Sequence, residues 1–145
     1  MKYTQMCIED IDEVISIFID YYNSHDESSW TYEKAFKRIH QVWTIEDSFV
    51  LIQKKDNEII GFAMGYFKQY DDLLAYELEE IVISYQHQKN GYGTLLMLEL
   101  EHQVKEKGAS LIELLAVNDI MHDNFYGKLK YKNANNLILK SKWID

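Results

Sequence analysis

Apolar residues recur along the N-terminal third of the chain at the three- to four-residue spacing of a helix face. One such set is Ile11, Val14, Ile15 and Phe18, and a second is Ala35, Phe36, Ile39 and Val42. Thr31 precedes the second set with a side chain that suits a helix N-cap. The pattern therefore predicts two amphipathic helices that each bury one face.

Runs rich in β-branched and aromatic residues predict the strands of a sheet. These runs cover residues 2–7, 48–54, 58–68, 76–84, 111–117 and 136–143. The polar stretch 55–57 joins two of them as a hairpin, and Gly61 and Gly65 in the second arm indicate bulges or close approach of another backbone. Leu137 and Leu139 give the last run the alternation of a strand.

Two more helices are predicted between the later strands, over residues 94–106 and 119–129. The apolar side of the first carries Leu95, Leu98 and Val104. Because a helix lies between the runs 76–84 and 111–117, those strands are expected to be parallel. The order β, α, α, β, β, β, α, β, α, β predicts one α/β domain over residues 1–145, built around a partly antiparallel sheet.

Composition indicates a folded, globular protein. At 145 residues, with 47% hydrophobic and 14% aromatic residues, the chain is long and apolar enough to bury a core of its own. No run approaches the roughly 20 apolar residues that span a bilayer, and the acidic N-terminus does not resemble a leader segment. We therefore expect a cytoplasmic protein with no membrane partner.

The net charge of −9 is unevenly distributed along the chain. Residues 1–80 carry 17 acidic and 7 basic side chains, whereas residues 81–145 carry 7 and 8. The acidic half is expected to repel nucleic acid and to attract cations, while the other half tolerates an anionic ligand.

Histidine and cysteine residues do not group into a metal site or a nucleophilic pair. The single Cys7 has no partner for a disulfide or for zinc, and is interpreted as a small apolar residue near the first strand. The five histidines have no partner at metal-ligand spacing and are interpreted as ordinary surface residues. Neither a metal nor a covalent acyl-enzyme is expected.

The most informative segment joins the run 76–84 to the helix at 94–106. Its sequence is Gln88-Lys89-Asn90-Gly91-Tyr92-Gly93-Thr94. The first N–H groups of a helix lack partners within it, and the helix dipole adds positive charge there, so the turn predicts an anion site. Gly91 and Gly93 permit positive φ or close approach of a phosphate. A Gly-x-Gly pair alone also occurs in ordinary tight turns.

The wider context of this turn resembles the acetyl-CoA signature of the GNAT superfamily of N-acetyltransferases. That signature is an apolar strand followed by Arg/Gln-x-x-Gly-x-Gly/Ala at the start of a helix. Here Ile81-Val82-Ile83 precedes Gln88-Lys89-Asn90-Gly91-Tyr92-Gly93. Segments 112–118 and 124–131 resemble the family's next strand and its tyrosine-containing helix. The resemblance implies a mixed, mostly antiparallel sheet, splayed between the strands at 76–84 and 111–117 and flanked by about four helices.

The resemblance also implies how acetyl-CoA is bound. The backbone of residues 88–94 would hold the pyrophosphate, and main-chain groups of Val82 and Ser84 would pair with the pantetheine arm as an added strand does. Asn118 would bond the same arm, although an Asn before Asp119 equally suits a turn. The cofactor-binding residues implied are Ile81, Val82, Ile83, Gln88, Lys89, Asn90, Gly91, Tyr92, Gly93, Thr94 and Asn118.

The resemblance further implies an acid and a base. Tyr126 would protonate the departing thiolate, whereas its plain interpretation is a packing residue. The base would be Glu79 or Glu80, and strand alternation places these two on opposite faces, so only one is expected to face the cleft. Glu113 on the next strand is a further candidate, for which a solvated edge residue is the favoured interpretation.

The acceptor is expected to bind in the acidic half, beside aromatic side chains. These are Tyr21, Tyr22, Trp30, Tyr32, Trp43, Tyr66 and Tyr70. We therefore expect a primary amine of a small, cationic molecule that attacks acetyl-CoA directly. Three alternatives stay open: acetylation of a protein N-terminus or lysine, a module that binds CoA without catalysis, and a regulatory protein that binds a partner. A homodimer through the exposed last strand is a further expectation.

Overall fold

The computed structural model describes all 145 residues, and its contacts divide the chain into two units, Met1–Leu115 and Ala116–Asp145. The first unit holds β1 (Lys2–Gln5), α1 (Ile11–His25), α2 (Tyr32–Trp43), β2 (Ser48–Lys55), β3 (Glu58–Gln69), β4 (Leu74–Ile83), α3 (Tyr92–Glu106) and β5 (Leu111–Leu114). It also holds short 3-10 turns at Ile8–Asp10 and Tyr85–His87. The second unit holds α4 (Ile120–Lys128).

The five strands form one sheet in the order β1-β2-β3-β4-β5. Neighbours from β1 to β4 are antiparallel, and β4 and β5 are parallel. Only Ala75–Leu78 of β4 pairs with β5, although β4 continues to Ile83. The sheet is therefore open along residues 79–83, which confirms the predicted mixed sheet that splays between the strands at 76–84 and 111–117.

Helices α1 and α2 pack on one face of this sheet. The apolar stripe of α1 is fully inside, since Ile11, Val14, Ile15 and Phe18 are buried as predicted. The α2 stripe buries Ala35, Ile39 and Val42 against the same core, whereas Phe36 is 37% exposed. Thr31 caps α2 as expected, because its Oγ1 accepts from the N–H of Lys34 at 3.2 Å.

The two glycines of β3 mark bulges, as their positions predict. The register between β3 and β4 shifts at Met64/Gly65, and that between β2 and β3 shifts at Gln53/Lys54, opposite Gly61. A Cβ on Gly65 would lie 1.9 Å from the carbonyl oxygen of Glu77. Only glycine therefore fits at Gly65 with the backbones in these positions.

The buried face of α3 differs from the predicted one. Leu96, Met97, Leu100 and Val104 are buried, whereas Leu95 and Leu98 are 45% and 49% exposed. Both sets of leucines recur at helix spacing, so periodicity alone did not decide between two adjacent stripes. Cys7 is also exposed rather than an apolar filler, and its Sγ–H donates to Oδ2 of Asp10 at 3.2 Å.

In the second unit, Asp119 caps α4 by accepting from the N–H of His122 at 2.8 Å. The final strand predicted over residues 136–143 is wrong, because no strand forms there and Leu137, Leu139 and Trp143 are exposed. Alternation alone does not make a strand, because a strand needs main-chain partners, and no strand pairs with this segment. No helix of either unit combines the length and apolar character needed to cross a membrane.

Candidate active site

The turn between β4 and α3 is shaped by two left-handed residues. After the 3-10 turn at Tyr85–His87, Lys89 has φ +64° and Gly91 has φ +80°. Gly91 is the N-cap of α3, and a Cβ built there meets no protein atom within 4 Å. The positive φ of Gly91 therefore explains why a glycine is favoured at this position, and the space beside it is open.

Main-chain N–H groups accumulate in this turn. The N–H of Gln88 donates to the carbonyl of Tyr85 at 3.4 Å, and the next donor with a backbone acceptor is Leu95, which bonds Gly91 O at 3.2 Å. The N–H groups of residues 89–94 have no acceptor among the backbone and side-chain hydrogen bonds. These donors lie at the positive end of the 15-residue helix α3, an arrangement that suits an anion.

Side chains of the same unit fix the turn. Gln53, fully buried on β2, donates from Nε2 to the carbonyl oxygen of Tyr92 at 3.1 Å. The side chain of Asn90 donates to the carbonyls of His87 and Gln88 at 3.2 and 3.1 Å. These bonds occupy carbonyl oxygens and leave the N–H groups free, so the turn presents donors and few acceptors.

The end of β4 corrects one part of the predicted pantetheine contact. The N–H of Ser84 donates to Ile60 O at 2.7 Å, so its expected role in pairing with pantetheine is wrong. Ser84 and Ile60 thus form a hydrogen-bonded pair, the next pair Gly61↔Ile83 is not bonded, and the main-chain groups of Val82 bond to β3. The expected pairing of Val82 with pantetheine is therefore wrong as well. Main-chain groups of Ile81 and Ile83 consequently point to the open edge, where Gln88 Nε2 bonds Ile83 O at 3.0 Å.

Glu79 and Glu80 do not lie on opposite faces as expected. Arg38 of α2 contacts both, with Nη2 at 3.3 Å from Glu79 Oε1 and 2.9 Å from Glu80 Oε2. The cause is the bulge opposite Met64/Gly65, where Glu80 pairs with Met64 and Leu78 pairs with Gly65, which leaves Glu79 as the extra residue. A bulge interrupts alternation, so both carboxylates reach one guanidinium.

The two carboxylates differ in how firmly they are held. Both Nε and Nη2 of Arg38 donate to Glu80 Oε2, and Tyr22 OH donates to Glu80 Oε1 at 2.6 Å. Burial and the neighbouring Glu80 raise the pKa of Tyr22, so its hydroxyl stays protonated as a donor. The side chain of Glu80 is 12% exposed, whereas that of Glu79 is 30% exposed and has the single longer bond to Arg38.

A third carboxylate, Glu77, was missed from the sequence. It faces Glu113 in the register of β4 and β5, and its Oε2 is buried without a hydrogen-bond partner. Burial raises the pKa of Glu77, as do the charges of Glu113 and Glu79, while Lys68 opposes the shift. Glu113 is half-buried and accepts from Tyr70 OH at 2.5 Å. It is therefore not the solvated edge residue that was expected from the sequence.

Asn118 and Tyr126 belong to the second unit. Asn118 is exposed, immediately before the N-cap of α4, and Tyr126 is half-buried in α4. The ring of Tyr126 lies 5.0 Å from that of Phe125 and 5.7 Å from that of Tyr131. The roles assigned to Asn118 and Tyr126 stay predictions.

Two other features were invisible in the sequence. No spacing rule connects Arg38 to β4, because the contact joins residues 42 positions apart. His25, interpreted as ordinary, places Nε2 3.1 Å from Oε1 of Gln88 in the turn. Among the described residues, no group of three or more His, Cys, Asp or Glu side chains could hold a metal ion.

Known proteins share this architecture. A possible acetyltransferase from Clostridium difficile 630 superposes with a TM-score of 0.85 at 9% identity, covering 99% of this chain and 98% of that one. An aminoglycoside antibiotic 6'-N-acetyltransferase from Acinetobacter haemolyticus gives 0.74 at 15% identity, with 100% of both chains covered. A ribosomal-protein-alanine N-acetyltransferase from Brucella melitensis biovar Abortus 2308 gives 0.72 at 15% identity, with 100% and 99% covered.

Identities this low show a shared fold and nothing more, and no curated protein matches the sequence. The sequence itself is matched over residues 11–131 by the model of the acetyltransferase (GNAT) family. The matched range runs from the start of α1, through the turn at 88–94, to Tyr131, three residues beyond the end of α4. The chain therefore belongs to the GNAT family of acetyltransferases.

Proposed function

We propose that the protein transfers an acetyl group from acetyl-CoA to a primary amine of a small, cationic acceptor. One observation carries this proposal: the N–H groups of residues 89–94 lack acceptors at the start of α3, beside the open edge of β4. A diphosphate supplies the acceptors that these donors lack. Acetyl-CoA provides the acetyl thioester.

The open edge of β4 supports the placement of the rest of the cofactor. Residues 79–83 have no β5 partner, so an extended pantetheine arm can add there as a strand. Ile81 offers main-chain groups directed to that edge, whereas the side chain of Val82 is buried in the core. Asn118 is proposed as a further amide partner.

Charge near the bulge supports a cationic acceptor. Four carboxylates, Glu77, Glu79, Glu80 and Glu113, are accompanied by the cations Arg38 and Lys68. The surplus of negative charge lies on β4 and β5, beside the splayed edge of the sheet. Such a surplus attracts a protonated amine before the amine reacts.

Glu79 is the better base of the two neighbouring glutamates. An amine must lose its proton before attacking, which for a lysine-like amine at pH 7 costs roughly 4–5 kcal/mol. Both oxygens of Glu80 are occupied by Tyr22 and Arg38, whereas Glu79 has one long bond and greater exposure. Glu80 is therefore proposed to fix Arg38, and Glu79 to accept the proton through a water molecule.

The reaction then needs no covalent enzyme intermediate. The amine nitrogen bonds to the thioester carbon, the carbon–sulfur bond breaks, and the amine proton leaves toward Glu79. Tyr126 is proposed to give its hydroxyl proton to the departing thiolate.

An acceptor panel tests this function. Thiol release from acetyl-CoA is measured with a polyamine, an aminoglycoside, a peptide with a free N-terminus and a weakly basic amine that is neutral at pH 7. We expect kcat/KM at least tenfold higher for the small cations, with the advantage shrinking as salt screens the site. Equal rates for cationic and neutral amines would contradict the charge argument, and a peptide preference would indicate a protein acceptor.

Acetyl-CoA binding without thiol release from any amine would instead indicate a binding module. No acetyl-CoA binding at all would favour a regulatory protein. A thermal shift with acetyl-CoA, run first, separates this last outcome from the others.

A further inference from the structure

His25, the last residue of α1, joins that helix to the turn at 88–94. Its Nδ1 lies 2.9 Å from the main-chain carbonyl oxygen of Tyr21, and its Nε2 lies 3.1 Å from Oε1 of Gln88. Gln88 in turn donates from Nε2 to the carbonyl of Ile83 at 3.0 Å. A continuous chain of hydrogen bonds therefore runs from the end of α1, through the turn, to the end of β4.

The donors and acceptors in this series of hydrogen bonds determine which nitrogen atoms of His25 carry a hydrogen. A main-chain carbonyl only accepts, so Nδ1 of His25 must donate to Tyr21. Gln88 donates from its Nε2 to the carbonyl oxygen of Ile83, and its Oε1 faces His25. Nε2 of His25 must therefore donate as well. A neutral imidazole has one N–H, and an imidazolium has two. The arrangement thus requires the imidazolium form of His25.

Reversing the Gln88 amide does not remove this requirement at an acceptable cost. The reversed amide would place its oxygen 3.0 Å from the carbonyl oxygen of Ile83, two acceptors with no hydrogen between them. His25 lies in the last turn of α1, where main-chain carbonyl groups lack partners within the helix and accept from donor side chains. Its ring stacks on Tyr21 at 4.7 Å and meets the edge of Tyr85 at 5.1 Å.

The charged residues around this group are acidic on one side and basic on the other. Asp26 and Glu27 follow His25 in the chain, and Lys89 follows Gln88. Tyr21 of α1 and Tyr85 of the 3-10 turn are the titratable side chains in contact with the ring.

We propose that His25 is a positioning residue for the acetyl-CoA turn: its imidazolium holds Gln88 against Ile83, which keeps the N–H groups of residues 89–94 directed at the pyrophosphate. This inference rests on the proposed binding of acetyl-CoA at that turn. When His25 loses its second proton, the bond to Gln88 is lost and Gln88 is free to leave Ile83. Acetyl-CoA therefore binds more weakly to the deprotonated protein.

The test compares acetyl-CoA dissociation constants by calorimetry from pH 5.5 to 8.5 in five proteins. These are the wild type, His25→Phe, His25→Gln, Gln88→Leu and His102→Phe. His25→Phe keeps a ring on Tyr21 without a donor, and His25→Gln keeps a donor that does not titrate. His102 is the matched control, an exposed histidine of α3 that contacts Glu106 at 3.3 Å.

We expect the ratio of wild-type to His25→Phe affinity to fall by about threefold across this range, the contribution of one exposed hydrogen bond. His25→Gln should keep most of the low-pH affinity without the pH step, and Gln88→Leu should behave like His25→Phe. His102→Phe should follow the wild type. Titration of the CoA phosphates is common to all five proteins and cancels in the ratios.

Superimposable pH profiles for the wild type and His25→Phe, in proteins that bind acetyl-CoA, would overturn this inference alone. No binding by any of the five would overturn the proposed function, and this inference with it. Nitrogen-15 spectra of the histidine rings add a readout without ligand. They should show both His25 nitrogens protonated at pH 6 in the wild type, and a single N–H would contradict the hydrogen-bond assignment.

Discussion

Gly91 has a backbone conformation that other residues rarely adopt, in a place where a Cβ would meet no protein atom. Its φ is +80°, and no protein atom lies within 4 Å of a Cβ built there. Gly108, at the end of α3, has φ +104° and similar space, with the nearest atom at 3.8 Å. Substitution of either glycine therefore strains the backbone, but only Gly91 lies in the turn.

This pair gives a controlled test of the turn. Gly91→Glu and Gly108→Glu should each lower the free energy of unfolding by about 1–2 kcal/mol, the cost of a left-handed conformation. Only Gly91→Glu should abolish acetyl-CoA binding, because its carboxylate would occupy the position proposed for the pyrophosphate. Calorimetric titration of both folded variants makes the comparison, and retained affinity in Gly91→Glu would remove the turn from the binding site.

Tyr126 is tested by removing one oxygen atom. Tyr126→Phe should lower kcat roughly tenfold to a hundredfold while the KM for acetyl-CoA changes little, because a proton donor acts in the reaction and not in binding. Tyr131→Phe is the control, since that ring lies 5.7 Å from Tyr126 in the same unit. Equal kcat in Tyr126→Phe and the wild type would exclude the proton-donor role.

Glu77 links the site to stability through pH. Because burial and its acidic neighbours raise the pKa of Glu77, the folded state binds its proton more tightly than the unfolded state. The ionised form therefore destabilises the fold as pH rises above the ordinary carboxyl range. Glu77→Gln should raise the free energy of unfolding at pH 7 by a modest amount, below about 1 kcal/mol.

That gain should shrink as the pH falls through the raised pKa of the folded state, and should disappear near pH 3, below the ordinary pKa of a glutamate, where the carboxyl is protonated in both states. Denaturant unfolding at the two pH values measures the difference. A loss of stability at pH 7 would show that the Glu77 carboxylate makes a favourable contact instead.

At the scale of elements, the sequence predicted what periodicity and turn chemistry specify. The α1 stripe, the Thr31 cap, the glycine bulges and the crossover helix α3 all follow from local patterns. The predictions failed where a non-local contact decides. The bulge between β3 and β4 brings Glu79 and Glu80 to Arg38, and strand alternation alone does not foresee it.

The bulge itself gives a stability prediction. Gly65→Ala should lower the free energy of unfolding by about 2–4 kcal/mol, because its Cβ would overlap the Glu77 carbonyl at 1.9 Å and force the two strands apart. Gly61→Ala on the same strand should cost less, since its closest contact at 2.7 Å is the flexible end of Ile83. Denaturant unfolding compares the two, and an equal or smaller loss for Gly65→Ala would contradict the account of the bulge.

At the scale of the whole molecule, the sequence context of the turn at 88–94 predicted the protein family correctly, whereas it did not predict the contacts of individual side chains. The acidic first half contains Glu77, Glu79 and Glu80, whose surplus charge supports a cationic acceptor. The predicted last strand failed because no strand pairs with residues 136–143, and the possible homodimer stays a prediction. The one-domain organisation, the cytoplasmic location and the acceptor's identity stay predictions.

The most direct measurement follows the backbone amides of the turn while acetyl-CoA is added. In nitrogen-15 heteronuclear spectra, the N–H signals of residues 89–94 should undergo the largest downfield proton shifts, since these donors gain phosphate acceptors that the protein does not supply. The N–H signal of Leu95, already bonded to Gly91 O, should move less. Unchanged signals across residues 89–94 at saturating acetyl-CoA would contradict the proposal that these N–H groups bind the pyrophosphate.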